Sequence, residues 1–265
     1  MPVLYEKPNV EELQNLDSKQ VNQIRREKAA LLASGYSTTK RCFELTYMMV
    51  GTALICTTLW RLWPFMELSY LPLGIFASVL GMATADFFSG MLHWWFDTWG
   101  DIHTPIISPF IRSFREHHID PVAITRHDVI ETNGDNFLPI IPVLAALTFL
   151  RPTTPGAVFL WVYLLQVCIF VALTNQIHKW SHQVRPHWFV KALQNTYVIL
   201  PRKNHNIHHS HPYDKNYCIT TGWLNEPFEI IGYWKFLEKW VTYFLGSTPR
   251  EDDMKWTSLI VKPKL

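Results

Sequence analysis

Residues 178–209 contain two histidine boxes, around which the rest of the chain is organised. The first is HKWSH at residues 178–182, and the second is HNIHH at residues 205–209. On a helix, residues three and four apart share a face, with Cβ atoms about 5–6 Å apart. Each box therefore presents its imidazoles toward one point, and neutral imidazole is a common metal ligand. The pattern favours a metal site over the alternative, a histidine-rich surface patch.

The composition around these boxes is that of a membrane protein. Hydrophobic residues make up 48% of the 265 residues and charged residues 17%, whereas soluble domains average about 25% charged residues. The net charge of +2 gives no argument for nucleic acid binding. The four cysteines show no CxxC pair, so we expect neither disulfides nor a zinc knuckle. Because the first 41 residues are polar and charged, we expect no cleavable signal peptide.

Four apolar segments are candidates for membrane spans, predicted at about 43–64, 70–92, 137–151 and 157–177. A spanning helix needs about 20 apolar residues. The second segment has Asp86 as its one acidic or basic residue, and the fourth ends directly at His178. The third is short, with Pro139 and Pro142 at its start, so a re-entrant helix is the alternative there.

The distribution of Lys and Arg predicts the orientation of these segments. These cations cluster before the first span, between the second and third, and after the fourth, which places both termini and the histidines in the cytosol. If the third segment crosses, the second and fourth spans both run toward the cytosol. His93 and His178 then emerge on the same side, which favours four spans over three.

We therefore predict an all-α integral membrane protein with four transmembrane helices. Residues 1–41 form a cytosolic tail, with a loose amphipathic helix over Glu11 to Ser34 as the alternative to a solvated segment. Residues 42–265 form the membrane domain, in which 93–136 and 178–257 build a cytosolic helical cap that holds the histidines. Within this cap, Pro227 to Leu245 has an apolar stripe beside lysines, typical either of a helix in the membrane interface or of a cap core helix.

The candidate metal ligands extend beyond the two boxes. His93 and Asp97 repeat the i, i+4 spacing, and His117-His118 is an adjacent pair whose side chains point about 100° apart on a helix, so that they could contact two metals. Nine ligands are too many for one tetrahedral zinc and suit two metals with open positions. Imidazole and carboxylate ligands with open positions favour iron, although zinc stays an alternative. The predicted set is His93, Asp97, His117, His118, His178, His182, His205, His208 and His209.

Three other polar residues have open roles. Asp86 lies inside a predicted span, where an ionisable residue is a functional hypothesis by default, but pairing with a neighbouring helix for the fold is an equal alternative. Asn175 precedes His178 by one turn and could ligate or orient a ligand. For His127, a structural hydrogen bond to Asp128 or Glu131 is the alternative to metal binding. Three histidines outside any box are expected at the surface: His103, His187 and His211.

Several longer segments resemble the plasmanylethanolamine desaturase family, also called the Kua family of membrane proteins. They are ADFFSG at 85–90 with His93-Trp94, Phe114 to Pro121, Thr125 to Asp128, Ile130 to Asn136, Thr174 to His182, and Cys218 to Asn225. The resemblance covers about residues 70–257 and does not include the first 40 residues. One departure occurs after the second box, where Tyr213 stands at the place of an expected histidine.

The resemblance implies an enzyme of the endoplasmic reticulum membrane. Members introduce the vinyl-ether double bond into the alkyl chain of an ether phospholipid, which makes plasmalogen. They use two irons, O₂, and electrons delivered through cytochrome b5 and its reductase. Two alternatives stay open at this point: a related di-iron hydroxylase or desaturase of fatty acyl chains or sterols, and a non-enzymatic membrane adaptor stabilised by metal. For the lipid phosphate, the candidate ligands are Arg112, Arg115, Arg126, Arg202 and Lys203.

Overall fold

A computed structural model describes residues 17–100, 108–210 and 213–249. Within these ranges the regular secondary structure is entirely helical, with no β-strand. Eleven α-helices are described: α1 Ser18–Ala33, α2 Thr38–Leu62, α3 Leu71–Thr98, α4 Ser108–Ile119, α5 Val129–Phe137, α6 Ile140–Thr148, α7 Pro155–His182, α8 Trp188–Asn195, α9 Arg202–His208, α10 Asn225–Ile230 and α11 Tyr233–Leu245.

Three helices of the described chain, α2, α3 and α7, are long and apolar enough to cross a membrane. Local signals set where they begin. The Ser37 hydroxyl accepts from Lys40 N at 3.1 Å to cap α2, and Thr154 caps α7 in the same way ahead of Pro155. Such caps satisfy backbone N–H groups that have no partner within the helix. The all-helical prediction is confirmed, and the apolar helices indicate a membrane protein.

Helices α3 and α7 lie side by side and carry the predicted ligands at the same end. Gly81 permits the close approach, since a Cβ atom there would lie 2.8 Å from Tyr163 O. At the far end of the contact, the rings of His93 and His178 are 5.6 Å apart between centroids. The two histidines therefore lie side by side at the same end of this helix pair.

The segment at 137–151, predicted as a third span, does not form one continuous helix. It holds only α6, nine residues long, and Leu138-Pro139 separates α6 from α5. Nine residues extend about 14 Å, too short for a hydrocarbon core of about 30 Å. The break follows from proline, which has no N–H to continue the hydrogen bonds of a helix. No single helix of spanning length forms there.

The chain from Asp128 to Leu150 nevertheless follows α2 along its length. At one end Arg41 Nη1 lies 2.7 Å from Asp128 Oδ2, and at the other Arg61 Nη2 donates to Leu150 O at 3.2 Å. Gly51, near the middle of α2, lies directly against the Phe137 ring. An apolar core between α2, α6 and α7 fixes this arrangement; it contains Leu62, Ile140, Leu144, Leu147, Trp161, Leu165, Cys168 and Ala172.

Residues 18–33 form helix α1. Of the two alternatives for the N-terminal region, a solvated segment and a helix, the helix is present there. A reciprocal capping box between Asp17 and Gln20 begins it. Its last turn packs on α4, where Leu32 and Ile119 form a small apolar cluster and Arg112 Nη1 donates to Leu32 O at 3.1 Å. Of the four cysteines, Cys42 and Cys56 are exposed, whereas Cys168 and Cys218 are buried.

Candidate metal centre

Helix α3 contributes His93 and Asp97, which share one face because they are four residues apart. His93 is fully buried, and its Nε2 lies 3.2 Å from Asp97 Oδ2. The helix continues to Thr98, so both side chains are held by regular backbone. The ring of Phe114 covers His93 at 5.5 Å between centroids.

Helix α4 contributes the adjacent histidines, whose rings point in different directions. The ring planes of His117 and His118 make an angle of 78°. His118 Nε2 lies 2.9 Å from Asp97 Oδ1, whereas His117 Nε2 lies 2.9 Å from His209 Nε2. The pair therefore contacts two different groups of ligand atoms, as the helical angle between neighbours dictates.

The end of α7 and the short helix α9 bring the two boxes together around His205. Its Nε2 lies 2.9 Å from His178 Nε2, 2.7 Å from His182 Nε2 and 3.0 Å from His209 Nε2. His208, on the same short helix, points to the other side and lies 3.5 Å from Asp97 Oδ2 through its Nε2. The second box is thus divided between two groups.

Two clusters result, and together they contain all nine predicted ligands. In each cluster the ligand atoms lie within 4.8 Å of one another. The first cluster is His117, His178, His182, His205 and His209; the second cluster is His93, Asp97, His118 and His208. They adjoin, since the rings of His118 and His209 are 5.5 Å apart.

The donor atoms fit bound metal ions. Ligand nitrogens about 2.0–2.1 Å from a metal and at right angles to each other are about 3 Å apart, close to the separations around His205. In the second cluster, the Nε2 atoms of His93, His118 and His208 are buried and make no hydrogen bond apart from their approach to Asp97. Buried polar atoms without partners are rare in native proteins, and an ion accounts for them. Both clusters could bind metal.

Backbone carbonyls set the tautomers of two ligands. Tyr217 O lies 3.0 Å from His93 Nδ1, and Lys215 O lies 2.9 Å from His208 Nδ1. A carbonyl only accepts, so each Nδ1 carries the proton and each Nε2 keeps its lone pair. Such outer hydrogen bonds orient metal-binding imidazoles. Sequence analysis missed these acceptors because a backbone carbonyl requires no particular side chain.

Burial favours the neutral form of four cluster histidines that lie outside the long helices α3 and α7. It holds the pKa of His117, His205, His208 and His209 well below the usual value of about 6.5, and neighbouring histidines lower these pKa values further. A protonated ring cannot donate a lone pair to a metal. Burial therefore favours the ligand form of these four imidazoles.

Asp86 lies two turns before His93 and binds backbone rather than the clusters. Its Oδ1 accepts from the N–H groups of Thr220, Thr221 and Gly222 at 3.2, 2.8 and 2.8 Å, and its Oδ2 accepts from Leu224 N at 3.1 Å. These contacts give Asp86 a role in the fold, although its partners belong to a loop and not to the neighbouring helix that we expected. The loop it holds directly follows the carbonyls that orient His93 and His208.

The remaining candidates lie outside both clusters. His127 Nε2 is 3.3 Å from Glu116 Oε2 and 3.8 Å from Glu131 Oε1, consistent with a structural hydrogen bond. Asn175 is half-buried. His187 is exposed and caps α8, whereas His103 and His211 lie outside the described residues. Two of the phosphate candidates are buried: Arg112 pairs with carboxylates and Arg115 donates to Gly100 O.

Comparison with known proteins gives the family. Residues 82–252 match the lipid desaturase domain. Plasmanylethanolamine desaturase 1 of Mus musculus is 46% identical over 86% of this chain and 87% of its own, and plasmanylethanolamine desaturase of Myxococcus xanthus is 41% identical over 88% and 83%. Fatty acid desaturase 4, chloroplastic, of Arabidopsis thaliana is 31% identical over 66% and 53%.

None of the solved protein structures matches the chain significantly. The matched domain contains all nine residues of the two clusters and the Asp86 loop. It also covers α7 and the part of α3 from residue 82 onward, two of the three helices that could span a membrane. With identities above 40% over most of the chain, the protein belongs to the lipid desaturase family and is a desaturase, an oxidoreductase of lipid metabolism.

Proposed function

We propose that the substrate is a plasmanylethanolamine, the ether phospholipid named in the two relatives at 46% and 41% identity. The product is then a plasmalogen with a vinyl-ether double bond. The overall reaction removes two hydrogens from adjacent carbons of the alkyl chain and reduces O₂ to two waters, using two further electrons and two protons. The observation that carries the proposal is two buried ligand clusters at one end of the apolar helices of a lipid desaturase.

Two irons are the proposed metals, one in each cluster, because imidazole and carboxylate ligands with open positions suit iron among the redox metals. When bound, they would supply O₂ activation and hydrogen removal. The nine cluster residues hold them, and cytochrome b5 with its reductase is the proposed electron donor. Zinc would fit the same ligands but supplies no redox chemistry.

The protein's own contribution is to orient the ligands and exclude water. His93, His205 and His208 are each at most 1% exposed, and the rings of Phe114 and Tyr217 lie against His93. A dry site protects reactive species from side reactions. The histidines of the first cluster are buried except for His209, which is partly exposed.

For the membrane topology we propose four crossings, with both termini and the clusters in the cytosol and the protein in the endoplasmic reticulum. The fourth crossing would be the segment 137–151, which begins at the last residue of α5 and contains α6. It is supported by the contacts Arg41–Asp128 and Arg61–Leu150, which lie at opposite ends of α2. The cap would comprise 93–136 and 178–257.

Rescue of plasmalogen synthesis tests this function. Cells that lack plasmalogens receive the full chain, the chain with His178→Ala, or the chain with His187→Ala as a matched histidine control. We expect the wild type and His187→Ala to restore vinyl-ether lipids and His178→Ala to restore none, at equal protein levels. Restoration by His178→Ala, or none by the wild type, would overturn the proposal.

The same lipid analysis separates the other candidate functions. Relatives at 31–32% identity are named fatty acid desaturases or probable fatty acid desaturases, so altered fatty acyl or sterol products without vinyl ethers would indicate that substrate class. A metal-stabilised adaptor would keep its biological activity after His182→Ala or His208→Ala in a protein that still inserts normally. The desaturase loses it in both.

A further inference from the structure

The chain after the second box turns back toward the membrane-spanning part of α3. Residues 218–224 form a loop that reaches Asp86, twelve residues before α3 ends at Thr98. Twelve helical residues correspond to about 18 Å. Cys218 lies so close to Gly90 that a Cβ atom there would be 2.5 Å from its sulfur. The loop therefore lies well below the end of the helix.

The loop lies at the depth where the hydrocarbon core of a bilayer would end. Helix α3 begins at Leu71, and about 20 helical residues cross the core of a bilayer. Counting from Leu71, the opposite boundary falls near Gly90, the residue that Cys218 touches. The loop is thus level with, and partly inside, the apolar layer that surrounds α3.

The backbone of the loop is equipped for such a place. Every N–H from Cys218 to Leu224 has a side-chain acceptor. Asn225 Oδ1 accepts from residue 218, Ser89 Oγ from 219, the carboxylate of Asp86 from 220, 221, 222 and 224, and Thr221 Oγ1 from 223. Irregular backbone at membrane depth is tolerated only where its polar groups are satisfied within the protein.

Helix α11 starts at the same level. Trp234 is 2% exposed and approaches Gly90, and its ring lies 6.0 Å from that of Trp94. The Tyr233 ring lies 6.5 Å from the Phe87 ring. These contacts place the first turn of α11 against residues 87–94 of α3, the stretch that contains His93.

From there α11 presents three faces. Trp234, Leu237 and Val241 belong to the apolar cluster shared with α3. Lys235 and Lys239 form a second, polar face, with Lys235 paired to Asp214 and Glu238. The third is an aromatic ridge of neighbouring rings, Phe236, Trp240 and Phe244, which are 54%, 48% and 63% exposed.

We propose that loop 218–224 and α11 form a membrane insert that enters one leaflet without crossing, with the aromatic ridge in contact with lipid. The ridge contacts the bilayer because Phe88 and Leu92 of α3, at the same depth, already face lipid in a spanning helix. These two side chains are 50% and 54% exposed. Lysines beside exposed aromatic residues are typical of helices in the interface. The proposal rests on the membrane crossing of α3 and not on the identity of the substrate.

The insert is joined to the second cluster through one ring. The Tyr217 ring lies 5.1 Å from Trp234 on one side and 5.8 and 5.2 Å from His93 and His208 on the other. The rings of Trp234 and Tyr217 therefore form a continuous series of contacts from α11 to this cluster. The leaflet that holds the insert is the one from which we expect substrate to reach the clusters.

Spin-label accessibility tests the insert in the full chain. In a parent with Cys42→Ala and Cys56→Ala, which removes the two exposed cysteines, single labels are placed by Trp240→Cys, Phe244→Cys and, as the matched control on the polar face, Lys239→Cys. The chain is reconstituted in phosphatidylcholine nanodiscs. The collision rates with oxygen, which concentrates in lipid, and with a water-soluble nickel chelate are then measured.

We expect the ratio of oxygen to nickel accessibility to be several-fold higher at 240 and 244 than at 239. Equal ratios at the three positions would overturn the proposal. So would labels at 240 and 244 that are shielded from both reagents in particles holding two copies of the chain, because the ridge would then be a dimer interface. Tyr243→Cys, also on the exposed side, gives a fourth position should one label prevent folding.

Discussion

Gly222 N donates a hydrogen bond of 2.8 Å to Asp86 Oδ1, which joins a spanning helix to a loop 136 residues later in the sequence. Three further N–H groups of the same loop donate to this carboxylate. The carbonyls of Lys215 and Tyr217, just before the loop, orient His208 and His93. An acidic residue inside an apolar helix thus stabilises the chain segment that supports two metal ligands.

Removal of the Asp86 carboxylate is expected to destabilise the protein strongly. Asp86→Ala leaves four buried N–H groups without their acceptor, and each unsatisfied group costs about 1–3 kcal/mol. Asp86→Asn keeps one oxygen and should lose less. The measurement is the apparent Tm in detergent, with Leu92→Ala, exposed on the same helix, as the control. A Tm of Asp86→Ala equal to that of Leu92→Ala would contradict the role.

Gly222→Ala is expected to destabilise the protein by about 1–3 kcal/mol. Its φ is +75°, and an added Cβ would lie 2.7 Å from Leu200 Cδ1; a positive φ is strained for any residue with a Cβ. Gly156→Ala is the matched control, since nothing lies within 4 Å of its added Cβ. Thermal unfolding of both variants is compared with wild type, and equal Tm values would show that the loop tolerates the substitution.

Loss of a single ligand is expected to empty one cluster and not both. His205→Ala removes the central ligand of the first cluster and His208→Ala a ligand of the second. In each case the iron content should fall to roughly half of the wild-type value, because separate ligand sets bind separate ions. Metal analysis of purified protein measures this. His187→Ala should keep the full content, and unchanged iron in both cluster variants would refute the assignment.

Acid is expected to destabilise the protein once its metals are removed by a chelator. In the folded state burial lowers the pKa of His117, His205, His208 and His209, whereas in the unfolded state the value is about 6.5. Between the two values the unfolded chain binds more protons. Stability is therefore complete above about pH 6.5 and falls as the pH decreases below it. Tm values measured from pH 8 to pH 5 check this, and a flat profile would contradict it.

The long helices and the helical faces of the candidate ligands are predictable from sequence because they depend on local patterns. The spacing of His178 and His182, or of His93 and Asp97, puts side chains on one helical face whatever lies around them. The long apolar segments likewise predict α2, α3 and α7. The segment at 137–151 was predicted less well, since its apolar composition suits a span while Pro139 ends the helical hydrogen bonds.

By itself, the sequence determined which residues bear imidazole and carboxylate groups, and on which helical faces. Only the tertiary structure decided how the nine divide into clusters of five and four, that Tyr217 and Lys215 orient two of them, and that Asp86 binds a distant loop. The physical reason is the range of the interactions. Helical periodicity acts over a few residues, whereas these contacts join residues up to 138 positions apart, and backbone donors and acceptors leave no signature in the sequence.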